Sequence, residues 1–125
     1  MNTESKPFST EQQLHQLDES VALSRVGGDV ELLREVVGLF LEDYPQSLDL
    51  IRDAVARGDQ SGLERHAHSL KGSVSTFGAQ EAFDAAQVLE KQGRTGDLSS
   101  AQTSLERLEQ ALTALRPELE ALQTK

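Results

Sequence analysis

From Leu98 to Leu122 the chain carries Leu98, Ala101, Leu105, Leu108, Leu112, Leu115, Leu119 and Leu122 at spacings of 3-4-3-4-3-4-3. Alternating steps of three and four keep side chains on one stripe of an α-helix, and a strand, with its period of about two, would scatter them over both faces. The seam is coiled-coil-like and sustained over three heptads, so it needs helical partners to cover it. Bundle core is a better reading of it than a cofactor box or a zipper. This helix should begin near Asp97, and Pro117 should kink or fray its last turns.

The rest of the chain supplies those partners. Residues 1–8 are polar, contain Pro7 and read as a disordered lead-in, with residues 9–125 as one domain. Ser9-Thr10-Glu11-Gln12 matches a capping box, so a first helix is expected from Ser9 to about Val26, with Leu14, Leu17, Val21 and Leu23 inward. Asp18 offers a second N-cap, which would break this segment in two, and Gly27-Gly28 ends it. Asp29 caps a second helix whose apolar face, Leu33, Val36/Val37, Phe40, Tyr44, Leu48, Ile51 and Val55, holds its register across Pro45. That predicts one long helix kinked at the proline, the alternative being a break between Asp43 and Gln46. After Arg57-Gly58-Asp59 a third helix runs from about Asp59 to Phe77, and after Gly78-Ala79 a fourth from about Gln80 to Lys91, facing inward through Ala82/Phe83, Ala86 and Leu89. Gly93-Arg94-Thr95-Gly96 reads as loop. The fold expected is all-α: an up-down antiparallel four-helix bundle with an additional short N-terminal helix over one end.

Composition narrows the function classes. The absence of Cys excludes a disulfide framework, thiolate metal sites and cysteine nucleophiles. The start has no apolar core region, and no long apolar run occurs, so neither a signal peptide nor a membrane span is indicated and the cytosol is the expected setting. A formal charge of −9 argues against nucleic acid and anionic membrane as partners, and a monomer is expected. Met1 and the polar tails favour a free-standing protein.

One stretch carries chemistry. On the third helix Leu63, Ala67, Leu70, Val74 and Phe77 recur at spacings of 4, 3, 4 and 3, a stripe that faces the core. At about 100° per residue, His68 lies about 100° to 160° around from most of that stripe and points to solvent. Its neighbours there are Glu64, Lys71, Gly72 and Ser75. Glycine in mid-helix costs about 1 kcal/mol relative to alanine, so its place beside an exposed imidazole suggests that something bulky comes close. A neutral imidazole can attack a phosphoryl group and hold it through an N–P bond, and Lys71, one turn away, can offset the phosphoryl charge.

Other site chemistries fare worse. His66 and His68 are two residues apart, about 200° on a helix, so they face opposite ways, and His15 is on another helix; no metal site is expected, and His66 reads as a packed or boundary histidine. Neither G-x-x-x-x-G-K nor G-x-G-x-x-G occurs, so the chain has no nucleotide site of its own. No Ser/His/Asp order offers a triad, and the Glu-x-x-His pairs of a di-iron bundle are missing.

With its surroundings, Ala67-His68-Ser69-Leu70-Lys71-Gly72-Ser73 resembles the histidine-containing phosphotransfer domain of multistep phosphorelays. Gly78-Ala79, Gly27-Gly28-Asp29, Phe40, Pro45, Gly58-Asp59 and Leu89-Glu90 sit where that family's pattern has them, and the likeness spans about residues 17 to 115. The resemblance implies that His68 is the phospho-acceptor, Lys71 the charge-neutralising neighbour and Gly72 the residue giving access. Glu64, Arg65 and Ser75 would belong to the docking surface. It implies as partners the receiver domains of response regulators and hybrid sensor histidine kinases, whose phospho-aspartate and Mg²⁺ complete the site, with no cofactor held by this chain. His66 departs from the commoner small or basic residue at its position, and the extension through Gln13 is unmatched. Two functions remain: a phosphocarrier, and a helical adaptor that binds a receiver or kinase domain through the same face without being phosphorylated. Only the first needs His68.

Overall fold

Three aspartates start three of the helices. Asp18, Asp29 and Asp59 each accept a hydrogen bond from the backbone N–H three residues on, at Val21, Leu32 and Gly62, satisfying one of the donors that a helix leaves free at its start. The computed structural model describes residues 16–124. Within them lie α1 (Glu19–Arg25), α2 (Val30–Arg57), α3 (Gln60–Ser75), α4 (Gln80–Thr95) and α5 (Ala101–Gln123), with no strand among the described residues. Helix α3 packs between α2 and α4, α5 packs against the other sides of α2 and α4, and α1 touches α2. The result is the four-helix bundle with a short N-terminal helix, in which α3 and α5 sit on opposite corners.

The expected Ser9 cap, Leu14, His15 and the lead-in fall outside the described residues. From Asp18 onward the segment forms a short helix that this residue caps. Gln16 and Leu17 are held by Glu118 of α5, whose carboxylate accepts their N–H groups at 2.9 Å each. Ala22 is the fully buried residue of α1, with Leu17, Leu23 and Val26 packed at the edge of the core.

Helix α2 is unbroken through Pro45 for 28 residues, so the break between Asp43 and Gln46 does not occur. Proline there removes one backbone donor, but Phe40, Tyr44 and Leu48 on either side are buried. The Phe40 ring stacks on Tyr44 and meets Phe77 edge-on, both at 5.2 Å between centroids, and Arg116 Nη1 of α5 donates to the Tyr44 hydroxyl at 3.1 Å. Packing of this face outweighs one lost hydrogen bond.

Three expectations at helix ends are corrected. The stretch Gly93-Arg94-Thr95 is not loop but the last turn of α4, which closes on Gly96 in the left-handed region at φ 79°. Gly93 is buried in that turn because α4 crosses the backbone of α3 there: a Cβ at Gly93 would stand 2.6 Å from the Glu64 amide nitrogen and 2.8 Å from the Gln60 carbonyl oxygen. Helix α5 begins at Ala101 and not near Asp97, whose carboxylate instead accepts from the N–H and hydroxyl of Ser99 in a local turn. Nor does Pro117 fray the end. The helix continues to Gln123, held by Leu119 and Leu122 in the core.

Candidate functional site

The stripe Leu63, Ala67, Leu70, Val74 and Phe77 is buried as expected, and it fixes the rotation of α3 about its axis. His68 is thereby turned outward, with 67% of its side chain exposed. The close approach at Gly93 brings α4 alongside, and Glu90, one turn before Gly93, reaches under the imidazole. Glu90 is the chemical centre of the site, with a side chain only 8% exposed. Its Oε2 lies 2.9 Å from His68 Nδ1, its Oε1 2.7 Å from Lys71 Nζ, and its Oε2 also takes a hydrogen bond of 3.1 Å from Arg94 Nη2. Arg94 Nε reaches on to Glu64 Oε2 at 3.2 Å, and Lys71 Nζ lies 5.8 Å from the centroid of the Phe83 ring.

Burial alone would push the Glu90 carboxyl up. The hydrogen bonds from Lys71 and His68 outweigh it and hold the group below the usual glutamate range. Glu90 is therefore an anion at neutral pH and can only accept. The ring nitrogen that faces it must carry a proton, so Nδ1–H donates to Oε2 and the lone pair of the neutral ring sits on Nε2. The outer nitrogen of an exposed, oriented imidazole is a nucleophile.

Lys71, mostly covered at 22% exposure, is on the site but already paired with Glu90. Gly72 is exposed, and a Cβ added there would meet nothing within 4 Å. No contact inside this chain requires glycine at that position. Arg65 is exposed, and Ser75 turns its hydroxyl onto the Gly72 carbonyl at 2.7 Å. Neither bonds to the histidine. His66 is half-buried at the edge of the stripe. Among the described residues no three His, Asp or Glu side chains are placed to hold a metal ion, and no helix is long and apolar enough to cross a membrane.

The sequence brought Glu90 to notice only as part of a pattern, without a role, and assigned Arg94 to a loop. Two signals were present: the spacing of four from Glu90 to Arg94 on one helix face, and the inward Leu89 that sets Glu90 at the edge of the core.

No curated protein matches the sequence. In structure the chain is similar to histidine-containing phosphotransfer protein B (HptB) from Pseudomonas aeruginosa PAO1, with a TM-score of 0.81 and 26% identity, covering 87% of this chain and 95% of that one. The family model described as Hpt domain matches residues 35–118, which includes the whole of α3 and α4 and most of α2 and α5. The chain belongs to the Hpt domain family.

Proposed function

We propose that this chain is a phosphocarrier of a phosphorelay in which His68 takes a phosphoryl group from the aspartate of one receiver domain and gives it to the aspartate of another. The Hpt family assignment and the shared fold support a phosphotransfer role. The observation that carries the choice of residue is the hydrogen bond from His68 Nδ1 to Glu90, which leaves Nε2 free on an exposed face. In the transfer the Nε2 lone pair attacks phosphorus, an N–P bond forms, and the P–O bond to the donor aspartate breaks with its electron pair going to the carboxylate. Nδ1 keeps its proton, so the ring becomes a phosphoimidazolium. Lys71 is the cation within reach of the phosphoryl oxygens. Gly72 leaves room for the receiver, and Glu64, Arg65 and Ser75 border the surface on which it docks.

The chain supplies an oriented nucleophile and one counter-charge, and the receiver's Mg²⁺ supplies the remaining neutralisation. The partners are receiver domains of response regulators or hybrid sensor kinases, met in the cytosol by a monomer. Incubation with a phosphorylated receiver domain is expected to place acid-labile, base-stable label on this chain and none on a His68→Gln variant. Equal labelling of the variant would remove His68 from the role. Binding that survives His68→Gln with no label on either form would favour the adaptor.

A further inference from the structure

Beside its buried stripe, α3 carries a second one that faces solvent. Ser61, Arg65, His68 and Gly72 recur at spacings of 4, 3 and 4, and all are exposed. Arg65 is the cation of that stripe. We propose, on the basis of the phosphocarrier reading above, that Arg65 is a second phosphoryl-binding cation, whose guanidinium donates hydrogen bonds to the oxygens of the group carried on Nε2 of His68.

The other charged neighbours of His68 on α3 are already matched against α4. Lys71 Nζ lies 2.7 Å from Glu90 Oε1, and Glu64 Oε2 lies 3.2 Å from Arg94 Nε. Among the described residues the Arg65 side chain has no ion pair and no hydrogen bond. Its charge is uncommitted until an anion arrives. Side-chain direction points the same way. Helical side chains lean toward the helix N-terminus, so the His68 ring lies over the turn that holds Glu64 and Arg65. The 450 Å³ hollow beside the ring agrees with this: Ser61, Glu64, Arg65, His68, Ser69 and Glu90 line it, and Lys71 does not. Residues three apart on a helix have Cβ atoms about 5–6 Å from each other, within the span of an arginine.

A phosphoryl group brings about two negative charges to the exposed edge of the ring. A guanidinium presents its N–H donors in a planar fork that fits two phosphoryl oxygens at once. Lys71 can turn to the phosphoryl group only by leaving Glu90, whereas Arg65 has only water to leave. Arg65 forms no bond to phosphorus and moves no proton, so it changes how firmly the group is held and not the course of the transfer. That separates it from a residue that only docks the receiver. A docking contact is released when the partners part, and its loss slows forward and reverse transfer by the same factor. A bond to the phosphoryl group persists in the free phosphorylated chain and shifts the balance between the two.

Arg65→Gln removes the charge at an exposed position and should melt like wild type. Forward transfer is measured from the full chain, phosphorylated with phosphoramidate, to a receiver domain. Reverse transfer is measured from the same receiver domain, phosphorylated with acetyl phosphate, to the unphosphorylated chain. In Arg65→Gln the ratio of forward to reverse rate is expected to move about three- to tenfold toward the receiver, the size of one charge-assisted contact at an exposed site. Arg65→Lys keeps the charge without the fork and should recover part of that shift. In the isolated wild-type chain the Arg65 Nε–H resonance should move on phosphorylation, with no receiver present. Equal slowing in both directions would make Arg65 a docking contact alone. Unchanged rates, or an Nε–H resonance that stays in place, would make it a solvated surface charge. Either result overturns the proposal while leaving His68 as the carrier. Failure of the wild-type chain to take phosphoryl at His68 would instead remove the phosphocarrier reading on which the proposal rests.

Discussion

Gly72 and Gly93 are glycines inside neighbouring helices, and the space around them separates their reasons. At Gly72 an added Cβ meets nothing within 4 Å, and α3 gives up about 1 kcal/mol of helix propensity to keep the residue bare. On the phosphocarrier reading, the receiver that docks there is what the bare position serves. Gly72→Gln is therefore expected to keep or slightly raise the thermal stability while cutting phosphotransfer at least tenfold. Wild-type rates in a folded Gly72→Gln protein would discard the access argument. The placement was legible from spacing, since Lys71 and Gly72 lie one turn beyond His68 on a single helix and the exposure of His68 and Gly72 follows from the buried stripe behind them. Glu90 was not legible in the same way. It stands 22 residues further on, and its contact with His68 exists only because two helices cross at a particular height.

That crossing is a property of the α3–α4 pair. The Gly93-Arg94-Thr95-Gly96 run looks like a loop because two glycines bracket it, and glycine is the strongest local punctuation a sequence offers. Only Gly96 punctuates; Gly93 is where one backbone passes another, a use of glycine that cannot be told from a turn without knowing the neighbour. Proline misleads in the same direction. Pro117 read as a point of kinking or fraying, yet the leucines beyond it are buried and the helix does not fray there. At Pro45 the continuous apolar register gave the right answer because it reports burial on both sides of the proline. Gly93→Ala should force α3 and α4 apart, since its Cβ would collide with backbone atoms of Gln60 and Glu64 and not with a flexible side chain. The expected cost is about 1–3 kcal/mol of folding stability, together with a weakened His68–Glu90 hydrogen bond. Thermal melting gives the first, and the ¹⁵N shifts of the imidazole give the second, through loss of the preference for a proton on Nδ1. A variant as stable as wild type, with its imidazole shifts unchanged, would mean that the helices can yield at this point without moving the site.

Across the whole bundle the histidine helix and the leucine seam lie on opposite corners. The leucine seam that most constrained the fold belongs to α5, which packs on α2 and α4 and lies diagonally across the core from α3. His68 and Glu90 depend on the α3–α4 crossing, and α5 packs on the far side of α4 and on α2. A loss confined to the seam should therefore lower stability without changing the chemistry of those molecules that remain folded. Leu108 is the suitable probe, being fully buried and mid-helix, away from the ends where α1 and Glu118 anchor the chain. Leu108→Ala should cost about 2–5 kcal/mol through lost burial and the cavity left behind. Its transfer rate per folded molecule, measured well below the lowered melting temperature, should match wild type. Gly93→Ala makes the opposite comparison, since it should disturb transfer even where the fold survives. If Leu108→Ala slows transfer in fully folded protein, the bundle couples its corners, and the imidazole would then be positioned by the core as a whole, beyond what the one helix crossing can fix.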